Sequence, residues 1–132
     1  MGRDGVLTGR EVSEAVGALG WRLLLNALRT SVAVPSPAAA VEVAARAVEV
    51  CGSRGDGHLV ADVRPRHVVL GLQTPQCAGV TGRDIVLAHR ISDAVAGLGF
   101  RTVPRAGTGT VRSLQLLEIA VDAVDITAVR PF

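Results

Sequence analysis

The chain reads as an α+β domain: a four-stranded antiparallel sheet with about three helices packed on one face, ordered α-β-β-α-β-β-α, plus a C-terminal strand-like extension. Three observations predict this. Two capping boxes, Thr8-Gly-Arg-Glu11 and Thr81-Gly-Arg-Asp84, each open an apolar run at helical spacing. Ser36-Pro37 opens a further helix, with serine as N-cap and proline in the first turn. Between these starts lie two pairs of short apolar segments, each pair split by a turn, which is the pattern of antiparallel hairpins.

Taken in order, Val12, Ala15, Val16 and Leu19 give the first helix one apolar face, and Gly20 ends it. Trp21–Leu25 and Arg29–Val34 are strands that turn near Asn26 and stop at Pro35. The second helix is alanine-rich, runs to about Cys51, and has Val41, Ala45 and Val48 on one shared face. Gly52–Gly57 is a polar loop. His58–Arg64 and His67–Thr74 alternate as a hairpin with Pro65-Arg66 at the bend. Ile85, Ala88, Ile91, Val95 and Leu98 form the inner stripe of the third helix. An internal echo, Ser13–Arg22 against Ser92–Arg101, is explained by two helix ends that share a left-handed glycine cap and an apolar residue folding back.

Residues 1–100 are thus one domain, 101–110 a linker, and 111–132 an apolar strand-like extension that suits the truncated start of a second module. A lone strand has unpaired edges, so the extension must join this sheet, a second subunit or a further module. One face of the sheet is left for a partner subunit. With a small core, a homodimer or homotetramer is the expected state.

The core must be aliphatic, because aromatics are 2% of a chain that is 48% hydrophobic. All 14 basic residues are arginine, which fits GC-rich bacterial coding. A net charge of +2, scattered along the chain, gives no nucleic-acid footprint. No apolar run approaches the ~20 residues of a membrane span. Cys51 and Cys77 lack metal-ligand spacing, and reduced thiols in a cytoplasm are the expectation. Three histidines without spaced carboxylates or thiolates make no metal site.

Cys77-Ala-Gly-Val-Thr-Gly-Arg-Asp-Ile-Val-Leu-Ala88, with the Gly20-Trp21 step, resembles the pterin-4a-carbinolamine dehydratases over roughly Leu7 to Phe100. The extension more faintly resembles the opening strand of a glyoxalase-type (vicinal oxygen chelate) domain. The dehydratase resemblance implies removal of water from a 4a-hydroxy-tetrahydropterin with no cofactor, the ligand being a pterin-like or other small ring. A base takes a proton from a ring nitrogen while an acid protonates the departing hydroxyl, and imidazole suits both tasks. The family carries a His-His-Pro motif and a Thr-His pair. Placing Val68–Thr74 on the family's last strand puts His58 on the second histidine, Gly57 on the first, Leu59 on the proline, and Thr74-Pro75 on Thr-His. An aromatic expected in the hairpin falls at Pro65.

His58 is therefore the candidate catalytic residue, a lone general acid/base. The alternative is a strand-end histidine hydrogen-bonded locally. Asp56 is a turn residue that could also orient the imidazole. Thr74 belongs to the pocket by its place in the family pair. Asp84 closes the family pattern, and its capping role outweighs its place at the pocket mouth. Cys77 reads as a small buried hydrophobe rather than a nucleophile. His67 and His89 read as surface residues. The leading functional reading is a divergent dehydratase-like lyase. The alternatives are a non-catalytic dimerisation or assembly module of the same fold, and a biosynthetic enzyme turned to a non-pterin metabolite.

Overall fold

Helix α1 (Gly9–Val16) starts at Thr8, whose side chain accepts from the Glu11 amide while the Glu11 carboxylate accepts from the Thr8 amide. Both bonds satisfy amides that the first turn leaves without helical partners. The computed structural model describes residues 5–104, and all structural statements concern these. Val12 and Val16 are buried, and a 3-10 turn (Gly17–Leu19) leads to Gly20 at φ 93°. A Cβ there would collide with the Thr102 carbonyl, so both backbone and space require glycine.

Strands β1 (Arg22–Leu24) and β2 (Ala27–Ala33) follow, joined by Leu25 and Asn26 at φ 52° and 66°. Two consecutive positive-φ residues make the tight turn whose twist suits a hairpin. Helix α2 (Pro37–Cys51) is capped by the Ser36 hydroxyl, which accepts from the Ala39 amide. It buries Ala40, Val43, Ala47 and Cys51. Val41 and Val48, on the face grouped in the sequence, are each 58% exposed. The small Ala40 and Ala47 let α2 lie close on the sheet, which turns the valine stripe outward.

After a 3-10 turn (Gly52–Gly55) come β3 (Leu59–Val63) and β4 (His67–Leu72), then α3 (Gly82–Gly97). The sheet order is β1-β2-β4-β3 and every pairing is antiparallel, so β2 and β3 run parallel with β4 between them. Helix α2 is the crossover that this arrangement needs. Register places Leu28, Thr30 and Val32 beside Leu72, Leu70 and Val68, all fully buried. Against that face pack Val43, Ala47, Leu87, Ala88, Ile91 and Val95 from α2 and α3, with Trp21. The α+β architecture with three helices and an antiparallel sheet is thus the one expected. Leu87, absent from the anticipated stripe of α3, is 1% exposed, and Leu98 sits at its partly buried margin.

The echo between the two helix ends has a shared geometry. Gly20 and Gly99 lie at φ 93° and 91°, and each following aromatic amide reaches back five residues, Trp21 to Val16 and Phe100 to Val95. That is the left-handed glycine cap in both places.

The expected linker begins differently. Thr102–Val103 form a short strand, β5, along the edge of β2 next to β1. A buried hydroxyl network fixes it there: Trp21 Nε1 donates to Ser92 Oγ, Ser92 meets Thr102 Oγ1 at 2.7 Å, and Thr102 donates to the Leu19 carbonyl. Polarity at 102 therefore marks an interior hydrogen-bonded position rather than a solvated connector. The remainder of the expected linker and the expected 111–132 extension lie outside the described residues. No helix among the described residues is long and apolar enough to cross a membrane.

Candidate functional site

Three chain segments converge beside the end of β4. Gly57, at φ 78°, turns the chain into β3 and places His58 just before it. The His58 amide donates to the Gly55 carbonyl, and its own carbonyl accepts from the Gln73 amide just past the paired strand, at the open end of the hairpin. Thr74 follows β4, and a bridge to Gly79 closes the loop 74–79. Thr81 then caps α3, so the helix start faces the strand end.

His58 is 6% exposed and Asp84 is fully buried. His58 Nδ1 lies 2.8 Å from Asp84 Oδ1. Asp84 Oδ2 accepts from the Thr74 hydroxyl at 2.7 Å and from the Thr81 amide at 3.1 Å. Thr74 and Thr81 hydroxyls meet at 2.8 Å. Because the Thr74 proton goes to Asp84, Thr81 donates to Thr74. A buried carboxylate needs such partners, and here every one of them is supplied by the fold.

This arrangement decides the tautomer. A carboxylate accepts only, so His58 presents Nδ1–H to Asp84 and leaves Nε2 as a bare acceptor in the neutral ring. Nε2 has no partner among the described residues. A cavity of about 310 Å³ opens beside it, lined by His58, Thr74, Gln76, Cys77, Thr81 and Arg83. The site can therefore move a proton at Nε2, on a ring held in orientation by Asp84.

Of the residues singled out in the sequence, His58, Thr74 and Cys77 line this cavity, and Asp84 lies directly behind them. Asp56 does not join them. It is exposed and lines a separate recess with Val48, Cys51 and Leu59. The carboxylate that holds the imidazole is Asp84, 26 residues away in sequence. Its capping bond to the Thr81 amide and its bond to His58 use different oxygens, so one side chain does both jobs. Cys77 is exposed rather than buried, because the loop 74–79 turns outward. Gln76, Thr81 and Arg83 line the cavity without being candidate site residues from the sequence. The second capping box is the signal for Thr81 and Arg83, since a cap at a strand-to-helix corner turns its first residues toward the strand end, while Gln76 comes from the loop 74–79.

Gly57 and Pro75 are neighbours in space: a Cβ on Gly57 would lie 3.7 Å from Pro75 Cγ. His89, on the exposed side of α3, lies 3.1 Å from the Ala15 carbonyl, at the C-terminal end of α1. Among the described residues no three His, Cys, Asp or Glu side chains gather to hold a metal ion.

A family model described as pterin 4 alpha carbinolamine dehydratase matches residues 5–94. A Roseiflexus castenholzii protein named for pterin-4-alpha-carbinolamine dehydratase is 31% identical over 91 residues, covering 68% of this chain and 97% of its own. A Mycobacterium tuberculosis (strain H37Rv) protein of the same name is 37% identical over 97 residues, covering 70% and 97%. The crystal structure of a transcriptional coactivator/pterin dehydratase from Brucella melitensis aligns with a TM-score of 0.59 at 27% identity, covering 68% of this chain and 98% of that one.

Proposed function

The chain belongs to the pterin 4 alpha carbinolamine dehydratase family, and on that premise we propose that it is a divergent hydro-lyase using His58 as a single general acid/base. Its substrate is a 4a-hydroxy-tetrahydropterin or a related small ring. The observation that carries this reading is the buried His58–Asp84–Thr74 chain beside a cavity large enough for a bicyclic ring. Bare Nε2 takes the proton from the ring nitrogen as the C–O bond to the hydroxyl breaks. The imidazolium then returns that proton to the departing hydroxyl, which leaves as water. The catalyst ends as it began, and Asp84 holds the ring plane throughout.

Gly57 and Pro75 supply no second imidazole, and in this reading one ring performs both transfers. The test is dehydration of 4a-hydroxy-tetrahydropterin followed by absorbance, with wild type against His58→Ala. A variant that stays folded and keeps full turnover would remove His58 from the reaction.

A second reading has its own support. The neighbouring positions 57 and 75 both lack a titratable group, and the Brucella relative carries a coactivator name. A non-catalytic assembly module fits both. Val41, Val48, Val60 and Val63 are exposed, which supports a homodimer or homotetramer under either reading. Light scattering after gel filtration tests the assembly. Wild type without dehydration and without stabilisation by pterins favours the module; turnover of a different ring compound favours a repurposed enzyme. The cytoplasm, with reduced thiols, is the proposed compartment.

A further inference from the structure

The charge of the cavity is less obvious than its proton chemistry. Asp84 is fully buried with both oxygens engaged by His58, Thr74 and Thr81, so its carboxylate is not available to contact a ligand. The two threonine protons are spent inside that network, passing from Thr81 to Thr74 to Asp84. The other lining residues are His58, whose Nε2 is the bare acceptor, with Gln76, Cys77 and Arg83.

Arg83 is exposed and lines the same cavity as the buried His58, so it stands at the mouth while the imidazole lies at the floor. The ion pairs among the described residues are Arg10–Glu14, Arg46–Glu49, His58–Asp84 and Arg64–Asp62, and Arg83 joins none of them. No carboxylate among the described residues lines the cavity. Arg83 also sits in the first turn of α3, where the helix dipole adds charge of the same sign. An unpaired guanidinium is a planar fork matched to carboxylate and phosphate.

We infer that the cavity takes a ring compound bearing an anionic substituent, carboxylate or phosphate, and that Arg83 is the specificity residue that binds it. The identity of the ring rests on the function proposed above; the anionic group does not. The ring's N–H meets His58 Nε2 at the floor, and the substituent points outward to Arg83.

Calorimetric titration separates these claims. The probes are 6-carboxypterin, 6-hydroxymethylpterin phosphate and neutral 6-hydroxymethylpterin. One or both anionic probes should bind on the order of tenfold more tightly than the neutral one, as one partly exposed charged contact supplies. Which of the two gains identifies the substituent. Arg83→Gln should erase the preference and Arg83→Lys should keep part of it, since the point charge survives without the fork. Equal affinity for all three probes in wild type, or a preference that survives Arg83→Gln, overturns the inference. If no pterin binds, the pterin reading fails, and benzoate and phenyl phosphate against benzamide replace the three probes. An Arg83-dependent preference for either anion then upholds the inference, and its absence there overturns it.

Discussion

Replacing Asp84 by asparagine keeps the number of heavy atoms and almost the same volume, yet it reaches both the stability and the chemistry of the site. The carboxylate accepts three bonds, from His58 Nδ1, the Thr74 hydroxyl and the Thr81 amide, in a fully buried position. Hydrogen bonds to a charged group are worth about 1.5–3 kcal/mol against about 1 for neutral ones. An asparagine has one carbonyl oxygen, so its NH₂ must face a former donor. In place of Oδ2 it faces both the Thr74 hydroxyl and the Thr81 amide, and the bond from the amide is lost outright. Facing His58 forces the ring to accept at Nδ1 and carry its proton on Nε2. The expected loss is about 2–3 kcal/mol, which for a domain of this size lowers Tm by about 10–20 °C. Urea titration gives the first quantity, and long-range ¹H–¹⁵N correlation of the His58 ring gives the tautomer. Wild type should show protonated Nδ1, and the variant protonated Nε2 or a mixture. An unchanged tautomer with a loss under about 0.5 kcal/mol would refute the argument, because the carboxylate would then be neither cap nor orienter.

Three further outcomes follow from the same geometry. Gly20→Ala should destabilise by about 2–4 kcal/mol, since the added methyl meets the Thr102 carbonyl at a positive φ; a urea midpoint close to wild type would contradict the close approach. Ser92→Ala removes the partner of both Trp21 and Thr102 and should cost about 1–3 kcal/mol, with loss of amide protection at β5 in hydrogen exchange. The Cys51 thiol is pushed up by burial, against a smaller opposing pull from Arg90. Above the ordinary thiol pKa the unfolded chain then binds fewer protons than the folded one, so stability falls as pH rises. The chain has no lysine or tyrosine to obscure this, and Cys51→Ala should flatten the alkaline fall; an equal fall in both proteins would assign it elsewhere.

Local chemistry made most elements legible. The caps at Thr8, Ser36 and Thr81, the turn near Asn26 and the bend at Pro65-Arg66 all act within a few residues, and each stands where its sequence signal points. The face of α2 was not legible in the same way. Alanine and valine surround that helix, so periodicity offers two stripes, and only docking on the sheet selects Ala40, Val43 and Ala47. Thr102–Val103 was hidden because two residues carry no period, and their burial depends on Ser92 and Trp21 far along the chain.

The site divides along the same line. His58 and Thr74 stand out by position in a motif, and Asp84 by its capping spacing. That Asp84 rather than Asp56 holds the imidazole depends on β4 bringing α3 against the start of β3, a contact no local rule contains. Sequence proximity favoured Asp56, and the positive φ of Gly57 turns the chain between it and His58.

The dehydration rate of 4a-hydroxy-tetrahydropterin in wild type and His58→Ala, measured on proteins with matching circular dichroism, bears most directly on the proposed proton transfer. Losing the only imidazole at the cavity should lower the rate by about 10²–10⁴-fold, the range of one general acid/base. Equal rates in the two folded proteins would contradict the account, whatever the cavity binds.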